Sequence, residues 1–321
     1  MKRLEEIINH LPNVSALTGL EWLHRKRDWA EEFIGDRLPW YEQLENDITV
    51  LKGHLNIQKL ASCYRDGLRN QSQIQKTIFE IHGAALLTSA ATQIDLHVPR
   101  GDGSGRNFDI WARVGGYPVN GEFKTRKDQF PFNVPPEPDL TSKIPVYGGS
   151  RATMDPHDAE DLGIYSKPID GFNHIATPES TVIRQIFLDG LGQLPTTGYN
   201  FILFGHIEGD RRNLEEALYG TEFIEQQMNK EVIFLWKRAP TGAFCPGAAG
   251  EPFKALSGVI WVRLMFPQTE DNTLGRAYKL YLNPCSTPLP NEVTESLNAV
   301  MDQWTTVGEE APKEASGGDG E

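Results

Sequence analysis

The chain has 321 residues, of which 39% are hydrophobic and 23% are charged, and its formal net charge is −13. Its length and composition are ordinary for a globular protein and allow one large domain, or one domain with a smaller appendage. No apolar run reaches the roughly 20 residues of a membrane-spanning helix, the N-terminus lacks the apolar core of a signal peptide, and the three cysteines show no CxxC spacing. The sequence therefore predicts a cytoplasmic protein with reduced thiols and no membrane association.

The acidic net charge argues against general binding to polyanions, but the charge is unevenly distributed. Residues 71–128 contain seven Lys or Arg and six Asp or Glu, which gives this stretch a charge of +1. The negative charge lies mainly elsewhere, so a nucleic-acid partner is made less favourable without being excluded.

Residues 1–70 are predicted to be mostly helical, because their apolar residues recur at helical spacing. Pro12 and Pro39 separate the predicted helices. The region contains the basic run H-R-K-R at residues 24–27, which is read as a solvated helix face more often than as a phosphate contact. Three roles stay open for the region: a helical arm, a lobe that contacts DNA, or a cap on the core.

Residues 74–91 form the clearest predicted helix, with Ile74, Ile78, Ile81 and Ala85 on one stripe. Small residues at 83–85 would permit close packing on a sheet. Glu80 lies inside this apolar segment, where a carboxylate rarely stays buried without a partner. It is either an exposed residue at the flank of the helix or a functional group.

After a short predicted strand at residues 94–98, residues 106–126 read as a β-hairpin. Gly115 and Gly116 supply the positive φ values of a two-residue turn. This turn fixes a register in which paired residue numbers sum to 231, so Asp109 lies directly opposite Glu122 on one face of the hairpin. Lys124 shares that face, two residues further along.

Two ionised carboxylates about 5 Å apart repel by roughly 3 kcal/mol at an effective dielectric constant near 20. Three arrangements resolve the conflict: one carboxylate keeps its proton, water screens both, or a cation binds between them. Hard divalent cations such as Mg²⁺ prefer carboxylate oxygens.

Residues 126–177 are rich in proline and predict a long loop insertion that borders the site. The acidic run at residues 155–161 within it is read as solvated rather than as a metal site. Thr177-Pro178-Glu179 is typical of a helix start and predicts a helix to about residue 194. The later predicted elements are a strand at 200–207, a helix at 214–229, strands at 232–236, 259–266 and 277–282, a helix at 292–304 and a disordered acidic tail at 309–321.

The D-x12-E-x-K spacing of Asp109, Glu122 and Lys124 on a hairpin, after a helix that carries Glu80, resembles the PD-(D/E)XK nuclease superfamily, the fold of many type II restriction enzymes. The resemblance covers residues 73–207. It implies an α/β fold with a restriction endonuclease-like core of order α-β-β-β-α-β, a mixed central sheet flanked by helices, preceded by the N-terminal helical region (1–70) and extended by extra C-terminal strands. The catalytic domain would span residues 71–308.

The resemblance also implies roles for the individual residues. Asp109, Glu122 and the backbone carbonyl of Phe123 would ligate Mg²⁺, with Mn²⁺ as a substitute, and Glu80 would help to hold the metal directly or through water. Lys124 would orient the attacking water or contact the scissile phosphate. Together Glu80, Asp109, Glu122 and Lys124 carry a formal charge of −2, which matches one divalent cation. Gln185 on the second helix is a weaker supporting candidate. Phe108 stands where the motif's name has Pro, a substitution that many members tolerate.

The expected function is that of a Mg²⁺-dependent endonuclease acting on nucleic acid, most favourably DNA, in restriction, defence or repair; a homodimer is left open. Three alternatives stay open: a catalytically inactive nuclease-fold protein that binds nucleic acid or protein, a glycoside hydrolase built on the carboxylate pair, and a structural hairpin with solvated carboxylates. Lys124 is expected to be exposed, so that its removal would cost within about 0.5 kcal/mol of stability.

Overall fold

A mixed, open β-sheet lies at the centre of the chain. The computed structural model describes residues 3–70, 72–125, 178–205, 211–229, 231–265 and 274–306. In chain order the strands are β1 (Ala91–Pro99), β2 (Asn107–Val114), β3 (Tyr117–Thr125), β4 (Tyr199–Gly205), β5 (Glu222–Asn229), β6 (Glu231–Arg238), β7 (Gly258–Met265) and β8 (Gly275–Leu282). Six of them form one sheet in the order β1-β2-β3-β4-β7-β8. The β3–β4 and β4–β7 pairs are parallel, and the other pairs in this sheet are antiparallel.

Helices precede, flank and follow the sheet. Before it come α1 (Leu4–His10), α2 (Pro12–Thr18), α3 (Leu20–Arg25), α4 (Arg27–Trp29), α5 (Leu38–Lys52), α6 (Ile57–Leu68) and α7 (Ile74–Ser89). The later helices are α8 (Pro178–Leu191), α9 (Arg211–Tyr219) and α10 (Asn291–Trp304). Within the described ranges, none of the helices has the length and apolar character needed to cross a membrane. The chain is therefore an α/β protein, the predicted class. The predicted loop insertion at 126–177 and the predicted acidic tail at 309–321 fall outside the described residues.

The β2–β3 hairpin has the predicted register. Gly115 and Gly116 have φ values of 57° and 88°, as a two-residue turn of this type requires. The pairs run from Val114 with Tyr117 to Ile110 with Gly121, and each pair sums to 231. The two-glycine turn was therefore sufficient to predict the register of the two strands.

Two hydrophobic clusters cover the two faces of the sheet. On β4, Phe201 and Leu203 belong to the cluster that includes α7 and the N-terminal helices, whereas Ile202 and Phe204 belong to the cluster that includes α8. The alternation follows from the period of two in a β-strand. Helix α7 approaches β3 closely, since a Cβ atom at Gly83 would lie 2.6 Å from the Phe123 ring. The expected role of the small residues in this helix is thus confirmed at Gly83.

A buried hydrogen-bonded chain joins α5, α7 and β8. The His82 ring is bonded through Nδ1 to Asp47 Oδ2 at 2.8 Å and through Nε2 to the Tyr278 hydroxyl at 2.7 Å. Gln43 Nε2 donates to the other oxygen of Asp47 at 2.7 Å. Asp47 and His82 are fully buried, so each needs these partners. These hydrogen bonds therefore connect the N-terminal helices to the sheet, in addition to the apolar contacts.

The predicted helix at 214–229 is wrong in its second half. Helix α9 ends at Tyr219, and Gly220 has a φ of 90°, a left-handed conformation that ends helices. Residues 222–229 instead form β5, which pairs with β6 as a separate two-stranded antiparallel sheet. Strands β7 and β8 extend the main sheet, as expected of the extra C-terminal strands, whereas β5 and β6 do not join it.

Candidate active site

The four predicted site residues lie on three neighbouring elements. Glu80 is on α7, Asp109 is on β2, and Glu122 and Lys124 are on β3. The described pairing of β2 with β3 stops at Ile110 and Gly121, one step before Asp109 would face Glu122.

At that step the Asp109 side chain, instead of a main-chain carbonyl of β2, accepts a hydrogen bond from β3. Asp109 Oδ2 accepts the Phe123 N–H at 2.7 Å. This bond holds the Asp109 carboxylate against the main chain of β3, between Glu122 and Lys124 in sequence. Burial raises the pKa of Asp109, while the bond from Phe123 and the charge of Lys124 act in the opposite direction.

Glu122 is the least exposed of the three predicted site carboxylates, with a residue exposure of only 2%. Its Oε1 accepts a bond from Lys124 Nζ at 2.7 Å. Its Oε2 is buried and has no hydrogen-bond partner among the described residues. Burial, and then the charge of Asp109, raise the pKa of Glu122 from 4.5 to about 8. A buried carboxylate oxygen without a partner is costly, so this position favours either a proton or a cation.

Lys124 is not the exposed side chain that the sequence led us to expect. Its side chain is 17% exposed and is paired with the buried Glu122. A Cβ atom at Gly190 of α8 would lie 3.2 Å from Lys124 Cε, so the glycine leaves room for the lysine stem. The expectation of an exposed lysine is therefore wrong, and with it the reason for expecting a small stability cost, because removal would leave a buried carboxylate without its counter-charge.

Glu80 joins this group electrostatically but has its own ion-pair partner. Lys76 Nζ lies 3.0 Å from Glu80 Oε1, one turn away on α7. Burial, and then the charge of Asp109, raise the pKa of Glu80. The prediction that Glu80 is an exposed residue at the flank of the helix is wrong, since its side chain is only 12% exposed.

Lys76 is a residue that the sequence reasoning missed. Burial lowers its pKa, but Glu80, Asp109 and Glu122 together raise it above its usual value. With Lys76 included, the formal charge of the group changes from −2 to −1 when every carboxylate is ionised. The i, i+4 spacing of Lys76 and Glu80 was the available signal, and it would have found the lysine.

Tyr64 and His97 also adjoin the carboxylates. Burial, then Glu80 and Asp109, raise the pKa of Tyr64, and its buried hydroxyl has no partner in the described ranges. The half-buried His97 ring meets Tyr64 edge-on at 5.5 Å. Burial lowers the pKa of His97 and Glu80 raises it.

His97 stands out because it has a φ of 51°. Non-glycine residues in this region are uncommon and cluster at functional sites. The pairs Leu96 with Ile110 and Val98 with Phe108 flank it, which puts His97 across from Asp109. No signal in the sequence fixes this β1–β2 register, because the connecting segment is longer than a tight turn.

The weaker candidate, Gln185, has a different partner. Its Nε2 donates to Asp189 Oδ1 at 2.9 Å, within α8. The structure thus brings Asp109, Glu122 and Lys124 together, places Glu80 within electrostatic range, and shows Gln185 engaged in its own helix.

Among the described residues, no three His, Cys, Asp or Glu side chains form a group that could hold a metal ion. The three-carboxylate metal set of Glu80, Asp109 and Glu122 therefore stays a prediction. Two carboxylates are sufficient for Mg²⁺, which keeps several waters and takes the remaining ligands from substrate phosphates. The unpartnered Oε2 of Glu122, beside the Asp109 carboxylate, fits such an ion chemically.

Comparisons of the chain with family models, with curated proteins and with solved structures give no match.

Proposed function

We propose that the chain is a metal-dependent endonuclease that hydrolyses phosphodiester bonds in DNA, in a restriction, defence or repair role in the cytoplasm. The observation that carries the proposal is the buried Oε2 of Glu122, which has no hydrogen-bond partner among the described residues and lies next to a second carboxylate and a lysine. Such an arrangement is unfavourable on its own, and a divalent cation with a phosphate would satisfy it.

The order of elements supports the same proposal. Helix α7, the strands β1, β2 and β3, helix α8 and strand β4 follow one another as α-β-β-β-α-β. The strands β1 to β4 are neighbours in that order, and the two helices belong to clusters on opposite faces of the sheet. This is the core organisation that the resemblance to the PD-(D/E)XK superfamily implies, and we propose a restriction endonuclease-like core on that basis.

In the proposed mechanism, Asp109 and Glu122 would hold the ion, and Mg²⁺ supplies water activation and charge neutralisation at the phosphate. Asp109 is held in place by the Phe123 N–H. Lys124, already aimed at Glu122, would orient the attacking water or contact the scissile phosphate. Glu80, which is paired with Lys76, would help to hold the ion directly or through water.

A second candidate function is a nuclease-fold protein that binds nucleic acid or protein without cleaving it. Two observations favour it: Glu80 is already paired with Lys76, and the described residues do not assemble a three-carboxylate metal group. The two candidates differ in one respect that an experiment can measure, the hydrolysis of a phosphodiester bond.

The test is incubation of the full chain with supercoiled plasmid, single-stranded DNA and RNA in Mg²⁺, in Mn²⁺ and in EDTA. We expect cleavage with metal, none in EDTA, and none with the Glu122→Gln variant, whose amide preserves the shape of the side chain. Cleavage by Glu122→Gln at the wild-type rate would show that the activity comes from elsewhere. Binding without cleavage of any substrate would favour the second candidate.

A further inference from the structure

The N-terminal helices contain a cleft of about 550 Å³ that the proposed active site does not use. Its walls come from α3, the turn after it, α4 and the end of α6. The lining residues are two tryptophans, two cations, one carboxylate and one amide: Trp22, Trp29, Lys26, Arg69, Asp66 and Asn70.

The aromatic part of the cleft is fixed in position by its own packing. The Trp22 and Trp29 rings meet edge-to-face at 5.2 Å, and Trp29 stacks on Phe33 at 4.9 Å with an interplanar angle of 15°. Both indoles are half-buried and pack against the hydrophobic core. A flat ligand entering the cleft would therefore meet aromatic surfaces that need little ordering on binding.

The cationic part is positioned by main-chain carbonyls instead of carboxylates. Arg69 Nε donates to the Thr18 carbonyl at 2.7 Å, and Arg65 Nε donates to the Leu17 carbonyl at 2.9 Å. In the described part of the chain, neither guanidinium has a carboxylate within ion-pair distance. The Arg69 guanidinium also lies 5.8 Å from the centre of the Trp22 ring.

Charged groups of both signs surround Arg69. Burial, and then the charge of Arg65, lower the pKa of Arg69, and the charge of Arg25 acts in the same direction, whereas the charges of Asp66 and Glu21 act in the opposite direction. Lys26 contributes a further positive charge to the lining, against the one negative charge of Asp66. An anionic group would therefore be attracted to the same cleft that offers the aromatic surfaces.

We propose that this cleft binds a nucleotide of single-stranded nucleic acid, with the base against the Trp22 ring and the phosphate at Arg69 and Lys26. Bases stack on aromatic side chains regardless of sequence, and a guanidinium forms paired hydrogen bonds with phosphate oxygens. A phosphopeptide would engage the cations but would not in general supply a flat ring for the Trp22 indole. The choice of nucleic acid over other anionic ligands rests on the proposed nuclease function.

The test measures the binding of a fluorescently labelled single-stranded DNA oligonucleotide to the full chain in EDTA, where cleavage is not expected. Trp22→Ala should weaken binding about tenfold, and Trp22→Phe, which keeps an aromatic face, should stay within about threefold of the wild type. Arg69→Gln should weaken binding and reduce the slope of log affinity against log salt by about 0.7 for the lost phosphate contact. Lys254→Gln, at an exposed lysine in another part of the fold, is the charge-matched control, and thermal melts confirm that each variant is folded.

The outcomes separate this inference from the proposed function. If wild type binds and both Trp22→Ala and Arg69→Gln bind equally well, the cleft is not the binding site, and cleavage by wild type would still support the nuclease. If the predicted losses are seen but wild type cleaves no substrate with metal, the cleft is confirmed as a binding site and the nuclease proposal is lost. Binding of a phosphopeptide in place of the oligonucleotide would overturn the inference.

Discussion

The Asp109 carboxylate accepts the Phe123 N–H at 2.7 Å, across the end of the β2–β3 pairing. A side chain of one strand thereby satisfies the main chain of the next at the point where the two strands cease to pair. The same contact brings an acidic group beside Glu122 without a main-chain ladder between them. The end of the β2–β3 pairing and the position of the Asp109 carboxylate therefore depend on the same hydrogen bond.

Divalent metal should stabilise the protein through Asp109. We expect Mg²⁺ or Mn²⁺ to raise the melting temperature of wild type, since a ligand at one hundred times its dissociation constant contributes about 2.7 kcal/mol. Asp109→Asn should lose this shift while keeping its stability without metal, because the amide oxygen can still accept the Phe123 N–H. Asp95→Asn, at an exposed carboxylate on β1, is the control. Equal shifts in wild type and Asp109→Asn would place the metal elsewhere.

Metal-free stability should fall as pH rises from about 4.5 to about 8, the ordinary and the raised pKa of Glu122. In this window the folded protein holds a proton on Glu122 that the unfolded chain has released, so the free energy of unfolding decreases with pH. Asp109 and Glu80, whose pKa values are also raised, act with the same sign. Urea unfolding at several pH values in EDTA should show a smaller decrease for Glu122→Gln. Identical pH dependence in the two proteins would contradict the assignment.

Lys124→Met should nearly abolish cleavage and also destabilise the protein. Above pH 8 the ionised, buried Glu122 loses its counter-charge, and we expect a loss of about 1–3 kcal/mol. The loss should be smaller at pH 6, where Glu122 keeps its proton. The double variant Lys124→Met with Glu122→Gln should recover part of the stability, since no charge is then left alone. A destabilised Lys124→Met protein that cleaves at the wild-type rate would remove the role proposed for the lysine.

Tyr278→Phe should destabilise the protein by about 1–3 kcal/mol, because it leaves a buried nitrogen of His82 without a partner. Tyr117→Phe is the matched control, since Tyr117 is 38% exposed and its change should stay within about 0.5 kcal/mol. Chemical unfolding of the two variants gives the comparison. Equal effects would mean that the buried chain of Asp47, His82 and Tyr278 contributes little to stability.

Sequence reasoning succeeded where local chemistry decides the structure. The Gly115-Gly116 turn fixed the strand register, and the Thr177-Pro178-Glu179 pattern located the start of α8, which begins at Pro178. It failed at residues 222–229, where pairing with β6 and the left-handed Gly220 decide against continuation of the helix.

In the candidate site, the residues on one hairpin could be predicted, and those brought in from other elements could not. Asp109, Glu122 and Lys124 follow from the alternation along two strands joined by a tight turn. Tyr64 and His97 reach the carboxylates through the packing of α6 and β1, which depends on contacts far apart in sequence. The burial of Lys124 was missed for the same reason, since it depends on the packing of α8 at Gly190.

The close approach of Gly83 to Phe123 links a residue without a functional group to the arrangement of the proposed site. Helix α7 carries Lys76 and Glu80, β3 carries Glu122 and Lys124, and the missing Cβ at residue 83 allows the helix to approach β3. A methyl group at residue 83 would push α7 away from β3 and so move Glu80 away from Asp109 and Glu122. The separation of Glu80 from Glu122 therefore depends on packing in the hydrophobic interior, and we expect Gly83→Ala to change the geometry of the proposed site although residue 83 carries no functional group.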